Sequence, residues 1–283
     1  MPLPSAELEW KSIQYRKTIF TMIKKANAGH TGGSLSCIDI LNVLYNRVMN
    51  VTPETFASPD RDRYIQSKGH SVEALYTVLA DKGFYPASAL ETLNQYKSHF
   101  IGHPTRKIPG VEQNTGALGH GLPIAVGTAL AAKLDGRAYR VFTLLGDGEL
   151  EEGSNWEASM SAAHYRLDNL VVIVDYNKLQ ITGPVETVTG ITNLVQKFTA
   201  FGYAVREVDG NAIPDLVAAF AALPFQPGKP NLLLAHTVKG KGVSFTENQV
   251  GWHHHVPTEA ELTMALAELT QAETEWRQRN GTR

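Results

Sequence analysis

The sequence predicts an α/β fold, a doubly wound parallel sheet flanked by helices. Two short apolar runs, Val141–Leu145 and Leu170–Val174, are nearly continuous rather than alternating, as strands covered on both faces require. Helix-like segments alternate with such runs along most of the chain, which is the pattern of βαβ units. Glycine turns close the strands, as at Gly146-Asp147-Gly148, and open parallel sheets bind ligands at those carboxyl ends.

Taken in order, residues 5–28 read as a helix with apolar positions at Ile13, Ile19, Phe20 and Ile23. It ends in a glycine turn, Gly29-His30-Thr31-Gly32-Gly33, before an apolar helix from Ser36 to Met49. A short strand over Asp62–Ser67 stops at Lys68-Gly69-His70, and helices follow at Ser71–Asp81 and Ala87–Tyr96. A loop broken by glycine and proline carries Gly102-His103-Pro104 and runs through Thr115–Gly121. The small apolar segment Leu122–Leu134 suits a helix packed closely on a sheet. The run from Val141 turns at Gly146-Asp147-Gly148 into a helix starting near Glu149, and the run from Leu170 stops at Asp175-Tyr176-Asn177. Next come a helix at Leu194–Phe201, a strand at Tyr203–Val208, a helix at Ile213–Leu223 and a strand at Asn231–Thr237. The last element, at about 258–280, is an amphipathic helix: Thr258 and Glu261 form a capping signature, and Leu262, Ala265, Leu266 and Leu269 make one stripe. With no repeat, low-complexity tract or linker, the expectation is a single domain over residues 1–283.

Composition excludes several classes of function. A net charge of −2 gives no attraction to nucleic acid or membrane surfaces, and no apolar stretch approaches the ~20 residues of a membrane span. The single Cys37 excludes an internal disulfide and, placed in an apolar segment, is expected to be buried. The first residues lack a signal or transit pattern, so the expected location is cytoplasmic.

Asp147 and Asn177 are distant in sequence, yet a βαβ unit brings the two turns that carry them to one edge of the sheet. Both offer oxygen donors, which suit a hard divalent cation. The glycines beside Asp147 let the backbone approach a ligand, and the helix start near Glu149 favours an anion. A diphosphate bridged through Mg²⁺ (or Ca²⁺ or Mn²⁺) meets all these conditions. Ten histidines form the second signal. His30, His70, His103, His120 and His253 stand beside glycine at strand or loop ends, whereas His164 and His236 read as structural and His99 is undecided. Imidazoles converging over a cofactor would suit proton transfers on sugar hydroxyls and a carbonyl. The run His253-His254-His255 lacks the spacing of a transition-metal site.

The motif GDG followed by DYNKLQITG at 175–183 resembles the thiamin diphosphate motif. Together with GHTGGSLS (29–36), SKGHS (67–71), GHP (102–104), TGALGHG (115–121), GDGELEEG (146–153), VDGN (208–211), KGKGVSF (239–245) and WH (252–253), it is similar to the N-terminal, diphosphate-binding half of transketolase over almost the whole chain. The resemblance implies that Asp147, Asn177 and the Leu179 carbonyl hold the metal, and that Gly116, Leu118, Gly148 and Ile181 contact thiamin diphosphate. It places His30, His70 and His253 by the diphosphate or the reacting carbons, and His103 at the hydroxyls of the transferred fragment. It places Glu152 and Glu157 at a subunit interface, with Glu152 also in the coenzyme site.

The implied reaction is transfer of a two-carbon ketol unit from a ketose phosphate to an aldose, as in pentose phosphate and other carbohydrate metabolism. In that family the glutamate facing the coenzyme's aminopyrimidine and the residues reading the sugar phosphate lie in a following domain. The resemblance therefore implies a partner, a separate C-terminal transketolase subunit, in a heterotetramer. His120 departs from the family pattern, which often has glutamine there. The weighed alternatives are a deoxyxylulose-phosphate synthase-like subunit, a 2-oxoacid dehydrogenase α-subunit-like chain, and a non-catalytic coenzyme-binding subunit.

Overall fold

The computed structural model describes residues 3–281. The chain opens with two helices packed on each other, α1 (Ser5–Ala26) and α2 (Thr31–Val43), the latter continuing as a π-helical turn over Leu44–Val48. Strand β1 (Arg63–Gln66) leads into α3 (Val72–Asp81), a long loop and α4 (Gly121–Leu134). The central unit is β2 (Val141–Gly146), α5 (Gly153–His164) and β3 (Leu170–Tyr176), followed by a small hairpin of β4 (Leu179–Gln180) and β5 (Gly183–Pro184). After α6 (Val185–Val188) and α7 (Leu194–Ala200), the chain alternates through β6 (Ala204–Asp209), α8 (Ile213–Ala221) and β7 (Asn231–His236) to α9 (Glu259–Asn280).

The five longer strands form one parallel sheet in the order β1-β2-β3-β7-β6. Because side chains alternate across a strand, each buried strand feeds two cores. Phe142, Leu144, Val171, Ile173, Leu233 and Ala235 face α1, α2, α3, α8 and α9, while Val141, Leu145, Val172, Val174, Leu232 and Leu234 face α4, α5 and α7. That is why β2, β3 and β7 read as unbroken apolar runs. The edge strand β6 is half-exposed, and Arg206 and Glu207 on it discourage further pairing. The doubly wound parallel sheet expected from sequence is the observed architecture. Among the described residues, no helix is long and apolar enough to cross a membrane.

Three local expectations are corrected. The run Thr31-Gly32-Gly33 is the first turn of α2 rather than a loop, so that helix starts five residues before Ser36. The reason is tertiary: a Cβ on Gly32 would stand 2.7 Å from the Trp252 carbonyl oxygen, so glycine here serves close packing, not a turn. The segment expected as a helix at Ala87–Tyr96 is only a 3₁₀ turn over Ala87–Thr92. The chain after Asp147 makes a 3₁₀ turn, Gly148–Glu151, and α5 itself starts at Gly153 rather than near Glu149. The C-terminal helix has the full capping box, with Thr258 and Glu261 bonding each other's backbone.

Gly32→Ala tests the close approach. Alanine is ordinarily worth about 1 kcal/mol over glycine inside a helix, whereas forcing a methyl against fixed backbone costs ~1–3 kcal/mol. Urea unfolding is expected to show a net loss of stability. A gain would refute the packing argument.

Candidate active site

The carboxyl ends of β1, β2 and β3 open into a cavity of about 360 Å³. One wall is the turn after β2 facing the turn after β3. Asp147 is buried and accepts hydrogen bonds from the Gly148 amide at 2.9 Å and from the Lys178 amide. The Asn177 side-chain oxygen accepts from the Leu179 amide at 3.1 Å, and the hairpin that follows carries Ile181 at its tip, 62% exposed. The Leu179 carbonyl accepts from Lys239 Nζ at 2.8 Å. Each of these oxygens retains further lone-pair capacity. Carboxylate, amide and carbonyl oxygens on one wall are a hard-cation donor set, so Mg²⁺ fits the chemistry here. Burial and the neighbouring Asp175 carboxylate push the Asp147 carboxyl up to about 6. Among the described residues, no group of three or more His, Cys, Asp or Glu side chains is placed to hold a metal ion, so amide and backbone oxygens would have to contribute.

The floor is charged. Lys68 is buried against Asp175, which also accepts from Ser36 Oγ at 2.6 Å and from Thr237 Oγ1. Burial alone would lower the Lys68 ammonium, but Asp175 outweighs it and holds Lys68 above its usual range. The same pairing keeps Asp175 below the usual carboxylate range despite its burial. Lys239 bridges the Leu179 carbonyl and His253 Nδ1, each at 2.8 Å. Burial and the nearby Lys68 charge bring its ammonium down to about 8. Beneath the turn after β2, the buried Glu149 carboxylate accepts from the Gly119 amide at 2.9 Å, the Gly146 amide at 3.0 Å and Ser67 Oγ.

The opposite wall is made of imidazoles. His30 lies 5.2 Å from His70, 5.7 Å from His253 and 6.2 Å from His103, between ring centroids, and His70 stacks on His253 at 5.4 Å. Gly116 makes room for His103, whose ring lies 2.8 Å from the place a Cβ would take, at a backbone φ of +142° that favours glycine. Burial, then the surrounding imidazoles and ammoniums, lower His30 to about 3; burial and Lys239 lower His253 to about 3. His70 is held well below its ordinary value by burial and Lys68. These rings are neutral at physiological pH, and His30 Nδ1 is buried without a hydrogen-bond partner among the described residues. Behind them the buried Glu73 carboxyl accepts from the His30 amide at 3.1 Å and from Ser34 Oγ at 2.7 Å. Burial pushes Glu73 up to about 7.

The structure thus gathers His30, His70, Gly116, Leu118, Asp147, Gly148, Glu152, Asn177, Leu179, Ile181 and His253 around one cavity. His103 stands outside that lining, against His30. Glu152 is exposed at the rim, and Glu157 is exposed on α5. His120 is exposed at the start of α4, and His99 is exposed and takes no part in the site. Lys68, Lys239, Asp175, Glu149 and Glu73 join the site without having stood out in the sequence, although the two lysines lie inside the SKGHS and KGKGVSF motifs.

Residues 11–273 match the protein family described as "Transketolase, thiamine diphosphate binding domain". The chain belongs to that family. It is 46% identical over 264 residues to an apulose-4-phosphate transketolase subunit of Phocaeicola vulgatus, covering 93% of this chain and 94% of that one. It is 40% identical to a 6-deoxy-6-sulfo-D-fructose transketolase subunit of Clostridium sp., covering 93% and 96%. Among solved structures, transketolase from Leishmania mexicana superposes with a TM-score of 0.86 at 28% identity, covering 95% of this chain and 42% of that one. The chain therefore spans less than half the length of that transketolase but nearly all of the two relatives named as subunits. Their names favour the transketolase reading over the synthase-like and dehydrogenase-like alternatives.

Removing the Glu73 carboxyl tests the support under His30. Glu73→Ala would leave the His30 amide and the Ser34 hydroxyl without an acceptor, at about 1–3 kcal/mol each. Glu73→Gln keeps an acceptor and is expected to retain most of the stability in urea unfolding. Equal losses in the two variants would contradict this.

The lowered imidazoles also set a pH dependence. An imidazole lowered on folding stabilises the fold above about 6.5, and that contribution is lost as pH falls towards about 3. Glu73, Asp147 and Glu149 are raised and act in the opposite sense, but the four lowered imidazoles, His103 included, outnumber them. The urea midpoint of the metal-free chain is expected to fall between pH 7 and pH 4.5, and to fall less in His70→Asn. A midpoint that rises on acidification would show that the rings are not held neutral.

Proposed function

We propose that this chain is the coenzyme-binding subunit of a two-polypeptide transketolase that moves a two-carbon ketol unit from a ketose phosphate to an aldose. The observation carrying this reading is the single cavity in which an oxygen-donor wall, two ammonium groups and a cluster of neutral imidazoles face one another. Asp147, Asn177 and the Leu179 carbonyl would hold Mg²⁺, and Lys68 and Lys239 would offset the charge of the diphosphate. Gly116, Leu118, Gly148, Glu152 and Ile181 would lie along thiamin diphosphate. When bound, the coenzyme supplies the electron sink that lets the bond beside a ketose carbonyl break.

The imidazoles do the remaining work. Being neutral, each can accept a proton at one nitrogen and donate from the other, which suits movement of protons between substrate hydroxyl and carbonyl oxygens. His30, His70 and His253 would act at the reacting carbons, and His103 at the hydroxyls of the transferred fragment. The exposed Ile181 and Glu152 leave one side of the cavity open to a covering surface. Relatives of this chain's own length are named as transketolase subunits rather than as whole transketolases. Those names support a separate C-terminal transketolase subunit in the role of that cover, with two such pairs in a heterotetramer. A cytoplasmic setting suits the buried free thiol of Cys37, which burial pushes up to about 12. The relatives named for apulose 4-phosphate and for 6-deoxy-6-sulfo-D-fructose support donors beyond xylulose 5-phosphate.

The test is ketol transfer with thiamin diphosphate and Mg²⁺, for the chain alone and mixed with the polypeptide that co-purifies with it. Xylulose 5-phosphate, apulose 4-phosphate and 6-deoxy-6-sulfofructose serve as donors. Transfer is expected only in the mixture. Comparable turnover by the chain alone would remove the need for a partner, and coenzyme binding without transfer from any donor would overturn the transketolase activity.

A further inference from the structure

The segment Val250–His255 is fastened to the first turn of α2. The Trp252 ring meets Phe20 edge-on at 6.3 Å and Phe245 at 5.6 Å, and its carbonyl lies against Gly32. Thr31 Oγ1 donates to the His255 carbonyl at 2.6 Å, and the His255 ring donates to Glu261 of α9 at 3.0 Å. Anchored on both sides, the backbone fixes where the two intervening rings go. His253 enters the cavity and accepts from Lys239. His254 lies outside the lining, with its ring edge-to-face on His30 at 4.5 Å and 69°.

Of the four imidazoles around His30, His254 makes the shortest ring contact, and it alone is exposed. Among the described residues its ring nitrogens take no hydrogen-bond partner, unlike those of His253 and His255. A ring anchored through its backbone, packed on the central imidazole and free at both nitrogens is placed to meet whatever enters from solvent. Its chemistry, one donor and one acceptor, matches a hydroxyl group.

Resting on the ketol-transfer reading above, we propose that His254 is a specificity-determining residue that contacts the hydroxyl groups of the incoming sugar on the solvent side of His30. The contact belongs to the substrate and not to the coenzyme, because His254 is outside the cavity that holds the oxygen-donor wall.

The experiment compares the wild-type chain with His254→Ala and His254→Gln, each reconstituted with its partner polypeptide. KM and kcat are measured for donor and acceptor separately, and thiamin diphosphate affinity by calorimetric titration in the presence of Mg²⁺. Loss of one hydrogen bond predicts a KM about three- to tenfold higher for at least one sugar in His254→Ala, with coenzyme affinity unchanged. His254→Gln, which keeps a donor and an acceptor, is expected to recover part of that loss. Unchanged KM for every sugar in His254→Ala would overturn the inference, as would a weaker coenzyme affinity with KM intact. If the wild-type mixture transfers no ketol unit from any donor, the transketolase reading fails first and this inference with it.

Discussion

The buried pair of Lys68 and Asp175 is the interaction on which the site depends. Asp175 ends the apolar part of β3 and is wholly buried, so as a lone charge it would be prohibitively unfavourable. It is tolerated because Lys68 from the end of β1, Ser36 from α2 and Thr237 from the end of β7 all donate to it. One carboxylate thus joins two further strand ends and the helix that carries the imidazole loop. Lys68 also reaches the Gly33 carbonyl at 3.3 Å, so the start of α2 is tied to the same point. Removing one partner of such a pair typically costs about 3–5 kcal/mol, because the other charge is left buried and unmatched. The geometry of the cavity floor is therefore fixed by an electrostatic requirement more than by apolar packing.

The charges around the cavity would suit a cation and an anion held there together. Lys68 is balanced by Asp175, and Lys239 faces Asp147 across the same space. A diphosphate alone would gain from the ammoniums but meet the Asp147 carboxylate. A divalent cation alone would gain from Asp147, Asn177 and the Leu179 carbonyl but meet Lys239, which already bonds that carbonyl. Bound together, each screens the other's repulsion with the protein. Lys239 also bonds His253, so the anion-facing side of the cavity is mechanically linked to the imidazole side.

The framework was legible in the sequence because it depends on local pattern. Strands buried on both faces give apolar runs, and the runs at Val141 and Leu170 with the turns behind them located β2, β3 and the wall that joins them. The helix start at Thr31 was not legible, since Gly32 and Gly33 signal a turn unless one knows that Trp252 lies against Gly32 and Ser71 against Gly33. The histidines and Asp147 stood out because glycine flanks them. Lys68 and Lys239 sit in the same motifs, but a lysine is ordinarily exposed and nothing in its neighbours announces burial. Glu73 was hidden for the same reason: within α3 it occupies one position of a helix, and only folding shows that this position lies under His30.

The two sides of the cavity are built differently, and the proposed division between coenzyme and substrate would follow that difference. The oxygen-donor wall comes from strand ends and the tight turns after β2 and β3, where a shift would disturb the sheet itself. The imidazole wall comes from loops and helix starts held from outside the sheet, by Glu73 under His30 and by Trp252 and Thr31 around His253 and His254. Loop residues of this kind can change while the scaffold stays, because few core contacts depend on their side chains. The relatives fit this division: chains 46% and 40% identical to this one are named for different sugars, yet both align over nearly all of it. On the proposed reading, a framework that held the diphosphate at the sheet and presented imidazoles on anchored loops would let the sugar vary without altering the chemistry that cleaves it.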